Sequence, residues 1–130
     1  MKVAVIGAGN MASEHIRAFA DVPGVKIVGI HSRTRLRAKD LATQYNIPLV
    51  CNSVEELHEA TNAELVIVAV NETSANVISH DCFKLPWSVF LEKPPGYSLE
   101  DGEDILKAAD ETNSRVFVGL NRRFMSSTRT

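Results

Sequence analysis

Three stretches of this chain carry residue types at spacings that could do chemistry. The first is Gly7-Ala8-Gly9-Asn10-Met11-Ala12, which fits G-x-G-x-x-G/A. Gly7 permits a tight turn, Gly9 lets a pyrophosphate approach the backbone, and a small residue at Ala12 lets a helix pack closely on a strand. A helix opening at Asn10 would turn the free N–H groups of Asn10, Met11 and Ala12, with the helix dipole, toward the phosphates. The second stretch is His31-Ser32-Arg33-Thr34, with Arg35, Arg37 and Lys39 following. A site for NAD usually places Asp or Glu here to bond the ribose hydroxyls, and this chain has neither. Ser32, Arg33 and Arg37 suit a 2′-phosphate instead, which guanidinium binds with forked hydrogen bonds. Arg33 and Arg37, four apart, could share one face of a helix start. Arg35 and Lys39 read as a solvated face. The cofactor implied is NADP(H), with NAD as the alternative; a basic helix face without a ligand is the competing reading. The third stretch is Glu92-Lys93-Pro94-Pro95, directly after a short apolar run, with Lys93-Pro94 a candidate cis bond.

These residues need elements to position them. Short runs rich in Val and Ile alternate with amphipathic stretches of helical length. Strands are predicted at Val3–Ile6, Val25–Ile30, Pro48–Val50, Leu65–Val70, Val89–Leu91 and Val116–Val118. Helices are predicted at Asn10–Ala20, Thr34–Tyr45, Ser53 through Glu59, Ser74 to about Asp81, and Ser98 to about Thr112. Ser53 with Glu56, and Ser98 with Asp101, have the spacing of a capping box or its acidic variant. Apolar strands joined by helices imply parallel pairing with helices on both faces. The fold class is therefore α/β, a doubly wound, mostly parallel six-stranded sheet of the Rossmann kind, over residues 1–120. Residues 121–130 differ in composition, with Arg122, Arg123 and Arg129 and no acid. They form a tail or the start of a further domain.

Composition excludes several classes. The 130 residues are 45% hydrophobic and 23% charged, both globular values. The formal charge of −2 argues against a nucleic-acid partner, which would call for a basic excess. The apolar runs are too short for a signal peptide core or a membrane span, so a cytoplasmic protein is expected. Cys51 and Cys82 form no CxxC pair and read as free buried thiols. The histidines lack metal-site spacing, so no metal is expected. His15 is expected to pack or bond within the first helix. No G-x-S-x-G or P-loop motif occurs.

Taken together, Gly7-x-Gly9 with His15 in the next helix, Ser32-Arg33-Thr34, Glu92-Lys93-Pro94 and Val118-Gly119-Leu120-Asn121-Arg122-Arg123-Phe124 resemble the N-terminal half of the Gfo/Idh/MocA oxidoreductases. The resemblance implies a domain that binds NAD(P) in an enzyme oxidising or reducing a hydroxyl or carbonyl on a sugar or cyclitol. It implies Lys93 as the proton-transfer residue, Glu92 as a positioning residue, and Asn121 and Arg122 near the nicotinamide and substrate. It places Val70 and Asn71 at the cofactor, where Asn71 matches the family's Pro-Asn-x-x-His and Val70 and Ser74 depart from it. The family's second domain, which binds substrate, lies outside this chain, so the chain alone should bind cofactor without turnover. Homo-oligomerisation is left open. The second hypothesis is a non-catalytic nucleotide-sensing module of the same fold; a retained Lys93 favours the enzyme.

Overall fold

A continuous run of apolar residues is stable as a strand only where both faces are covered. Val3 to Ile6 and Leu65 to Val68 meet that condition: all eight side chains are buried. The computed structural model describes residues 1–119. In order they form β1 (Lys2–Ile6), α1 (Asn10–Ala20), β2 (Lys26–His31), α2 (Arg35–Tyr45), β3 (Val50–Cys51) and α3 (Val54–Thr61). There follow β4 (Leu65–Val68), α4 (Ala75–Phe83), β5 (Ser88–Glu92), α5 (Leu99–Thr112) and β6 (Val116–Gly119). The sheet order is β3-β2-β1-β4-β5-β6, and every pairing is parallel.

Strand alternation sorts the core into two layers. Val3, Val5 and Ile67 face α1 and α2, meeting Ala12, Ile16 and Ala38. Ala4, Ile6, Val66 and Val89 face α3, α4 and α5, meeting Leu57, Phe83 and Ile105. The chain leaves β1 toward β2 on one side and later returns to β4 on the other. The strand order therefore reverses beside β1, and open α/β sheets bind ligands at the carboxyl ends of strands at such a point.

Local chemistry sets the helix ends. The Ser53 hydroxyl accepts from the Glu56 N–H at 3.0 Å, and the Glu56 carboxylate accepts from the Asn52 N–H at 2.5 Å. Ser98 accepts from Asp101 N–H at 3.2 Å, and Asp101 accepts from Tyr97 N–H at 2.7 Å. Both are the reciprocal caps that the serine and acid spacing predicts.

Most expected boundaries move by a residue or two, and three of the moves bear on the site or the sheet edge. β3 is Val50–Cys51, not Pro48–Val50, because it pairs with Ile30 and His31 at the sheet edge. β4 ends at Val68, so Ala69 and Val70 leave the sheet. α2 begins at Arg35 after Thr34 as N-cap, so Arg33 precedes the helix rather than sharing its face with Arg37. Leu36, an apolar residue of that helix, is exposed. Cys51 and Cys82 are free and buried, and burial pushes both thiols up. Among the described residues no helix is long and apolar enough to cross a membrane.

Candidate functional site

Beyond the carboxyl ends of β1, β2 and β4 lies a cleft of about 560 Å³. Gly7, Gly9, Ser32, Arg33, Arg37, Val70 and Asn71 all line it. Residues up to 64 positions apart, Gly7 and Asn71, thus meet where the strand order reverses.

The two glycines of the turn do different work. Gly7 is buried with φ +114, and its N–H donates to the His31 carbonyl at 2.8 Å. A β-carbon there would lie 2.1 Å from the Ala69 carbonyl oxygen. Gly7 therefore holds β1 against the chain leaving β4. Gly9 has ordinary extended backbone, φ −93, and a β-carbon there would meet nothing within 4 Å. The chain's own packing gives no reason for glycine at 9. The absent β-carbon leaves bare backbone open to the cleft, as a closely approaching ligand requires. Ala12 is fully buried, which lets α1 lie close to the sheet.

The helix ends show what such a ligand should carry. α1, α2 and α4 all present their N-termini to the cleft, through Gly9, Thr34 and Ser74. None of the three has a side-chain N-cap hydrogen bond or an acid in its first turn. The N–H groups of Asn10, Met11 and Ala12 have no partner among the described residues; the first bond is Ser13 N–H to Gly9 carbonyl at 3.1 Å. α3 and α5, which do not reach the cleft, are both capped by serine and both have acids in the first turn. Unpaired N–H groups and positive dipole ends converging on one space favour an anion. Arg33 and Arg37 add fixed positive charge, and among the described residues no carboxylate lines the cleft. Arg35 turns away to Asn52, and neither it nor Lys39 lines the cleft. The free N–H groups and the two guanidinium charges together favour phosphate groups in the cleft.

On the opposite wall, half-buried Val70 gives apolar surface. The Asn71 side-chain oxygen accepts from the Thr73 hydroxyl at 2.7 Å and the Ser74 N–H at 2.9 Å. Its amide NH₂ is left as a donor, which a sugar or amide oxygen could use.

Glu92 and Lys93 stand apart from this cleft, at the end of β5. The Glu92 carboxylate pairs with His15 Nε2, reaching from β5 to α1. The His15 ring lies edge-on to Phe90, with centroids 5.2 Å apart. The expectation that His15 packs or bonds within the first helix is corrected: its partners are on β5, and it anchors α1 to the strand that carries Glu92. Lys93 follows, exposed, and the Lys93-Pro94 bond is cis as its sequence suggested. Asn121 and Arg122 lie outside the described residues.

The other histidines do local work. His58 lies edge-on to buried Trp87 at 5.0 Å, and His80 bonds Asp104 at 2.9 Å. Among the described residues no group of three His, Cys, Asp or Glu side chains could hold a metal. Several cleft residues were not singled out from the sequence, and His31 is the one among them with a titratable side chain. The signal was its place at the end of β2, where an acid was sought.

Comparisons with known proteins agree with this geometry. The sequence model of a family described as "Oxidoreductase family, NAD-binding Rossmann fold" matches residues 1–120. The chain is 28% identical over 127 residues to the 4-carboxy-2-hydroxymuconate-6-semialdehyde dehydrogenase of Sphingobium, covering 98% of this chain and 40% of that protein. It is 29% identical over 128 residues to the inositol 2-dehydrogenase of Salmonella typhimurium, covering 95% and 38%. The crystal structure of a putative NADPH-dependent oxidoreductase from Desulfitobacterium hafniense superposes with a TM-score of 0.90 at 25% identity, covering 98% and 37%. The chain thus spans about two fifths of the length of the curated relatives it matches.

Proposed function

The chain belongs to the Gfo/Idh/MocA oxidoreductase family, and from that premise we propose that residues 1–120 bind NADP(H) for hydride transfer to or from a hydroxyl or carbonyl of a sugar- or cyclitol-like substrate. In this reading residues 121–130 are a tail or the start of a substrate domain. The observation that carries the cofactor choice is the cleft wall: among the described residues Arg33 and Arg37 line it and no carboxylate does. The dehydrogenase names of the relatives support the reaction class.

Each residue has a part in this reading. The N–H groups of Asn10, Met11 and Ala12 hold the pyrophosphate over the open side of Gly9. Arg33 and Arg37, with the Ser32 hydroxyl, hold the 2′-phosphate. Val70 packs against the nucleotide, and the Asn71 amide donates to it. The nicotinamide supplies hydride acceptance or donation when bound. Lys93 Nζ holds the proton that the substrate hydroxyl loses or gains. Glu92, pinned by His15, is a positioning residue for the turn that carries Lys93. Lys93 is exposed among the described residues. A dry, closed site for proton transfer therefore requires protein beyond this chain, as the length of the relatives suggests.

The test has two parts. Titrated into this chain in a calorimeter, NADPH should bind at least tenfold tighter than NADH, about 1.4 kcal/mol. The chain alone should not turn over sugars or polyols. In a longer protein carrying the substrate domain, Lys93→Ala should abolish turnover with little change in cofactor affinity. Equal affinities would overturn the cofactor assignment, and a Lys93→Ala enzyme of normal rate would overturn the proton-transfer role.

A further inference from the structure

Among the described residues, His31 is the titratable side chain lining the cleft besides the two arginines, and the chemistry above leaves it unused. Its ring is held by β3: Nδ1 lies 3.0 Å from the Cys51 carbonyl oxygen. A carbonyl oxygen can only accept, so Nδ1 carries the hydrogen. In the neutral ring the lone pair is then on Nε2, which has no hydrogen-bond partner among the described residues. His31 is the last residue of β2. In NAD-binding domains a carboxylate near this strand end accepts from a ribose hydroxyl. A neutral imidazole with its lone pair on Nε2 can accept the same bond. A protonated one presents Nε2–H, a charge-assisted donor suited to phosphate.

We infer that His31 is a specificity-determining residue that serves both dinucleotides. Neutral, its Nε2 accepts from the adenosine ribose hydroxyl of NAD(H); on binding NADP(H) it takes up a solvent proton and donates Nε2–H to the 2′-phosphate. This rests on the dinucleotide reading of the cleft and deepens it.

The surroundings permit this exchange. β1 contributes Ile6 and Gly7 beside His31, with no titratable group. β3 contributes the Cys51 thiol, which burial keeps un-ionised. The turn before α2 and α2 itself bring Arg33 and Arg37 to the cleft, while Arg35 is turned to Asn52. Glu56 of α3 lies on the Cys51 side, bonded to the Asn52 N–H. In the cleft itself, the charged side chains beside it among the described residues are the two guanidinium groups. The dianionic phosphate supplies the charge that draws the proton on.

Calorimetry of the full chain at pH 8 in HEPES and in Tris, two buffers of different ionisation enthalpy, tests the inference. At that pH a phosphate monoester is already a dianion, its second pKa being about 6, so proton uptake reports on the protein. NADPH binding should take up a substantial fraction of one proton and NADH binding none. By linkage the NADPH dissociation constant should rise with pH, by up to about tenfold per unit, while that of NADH stays level. His31→Gln should bind both and lose the uptake and the slope. NADPH bound without uptake, or uptake surviving in His31→Gln, would overturn the inference while leaving the cofactor site standing. Failure of the unsubstituted chain to bind NADPH would instead count against the proposed function. Imidazole ¹⁵N NMR on the unsubstituted chain needs no variant. Nδ1 should be protonated throughout and Nε2 only with NADPH present; an Nε2 that stays unprotonated in the NADPH complex overturns the inference.

Discussion

Replacing Gly9 by alanine should separate ligand binding from folding. The backbone there is extended and the added β-carbon meets nothing within 4 Å, so the folded chain accepts it without strain. Alanine also has fewer unfolded conformations to lose. Stability should therefore hold or rise by roughly 0.4–1 kcal/mol, a few degrees in Tm for a domain of this size. The same β-carbon projects from the turn that fronts the unpaired N–H groups of α1. Keeping a phosphate oxygen from one such bond forfeits about 1.5–3 kcal/mol, or roughly ten- to 150-fold in affinity. Gly7→Ala is the opposite case. Its φ of +114 costs a non-glycine residue about 1–3 kcal/mol. The β-carbon, 2.1 Å from the Ala69 oxygen, forces a backbone shift worth about 1–3 kcal/mol more. Together these approach the whole stability of a small domain, about 5–15 kcal/mol. Thermal unfolding without cofactor and calorimetric titration with NADPH and NADH read both effects. A Gly9→Ala chain that binds normally would refute the cradle at Gly9, and a Gly7→Ala chain as stable as the parent would refute the packing role of Gly7.

Arg33→Ala with Arg37→Ala should cost NADPH at least tenfold in affinity, about 1.4 kcal/mol, and change NADH by less than about twofold. Loss of both cofactors alike would point to general electrostatics rather than 2′-phosphate recognition. Ser53→Ala should cost about 1 kcal/mol in urea unfolding because it removes a formed cap. Thr34→Ala should cost almost nothing by that mechanism, since Thr34 makes no cap hydrogen bond; equal losses would contradict the cap assignment.

The parts of the molecule legible in the sequence depend on short-range chemistry. The serine and acid spacings at Ser53 and Ser98 read correctly as helix starts because both partners lie within four residues. The buried runs at β1 and β4 read correctly because continuous apolar residues have few other stable uses. The glycine turn and the arginines after β2 could likewise be singled out by residue type, and they line one cleft. The boundary misreadings have the same origin. Nothing local tells Leu36 that its helix face is solvent, or Ala69 that the strand has ended.

What tertiary structure alone decided are the contacts that span strands. His15 and Glu92 are 77 positions apart and meet because α1 packs across the sheet toward β5. The need for glycine at 7 comes from Ala69, which the parallel pairing of β1 with β4 places beside it. The ring of His31 takes its tautomer from a carbonyl on β3. The three uncapped helix ends look like omissions in sequence; they become a site only where strand order brings them to one space. Local patterns report the conformations that a few neighbouring residues can hold. Which distant groups face each other is set by the order and register of strands, and no short stretch of sequence contains that order.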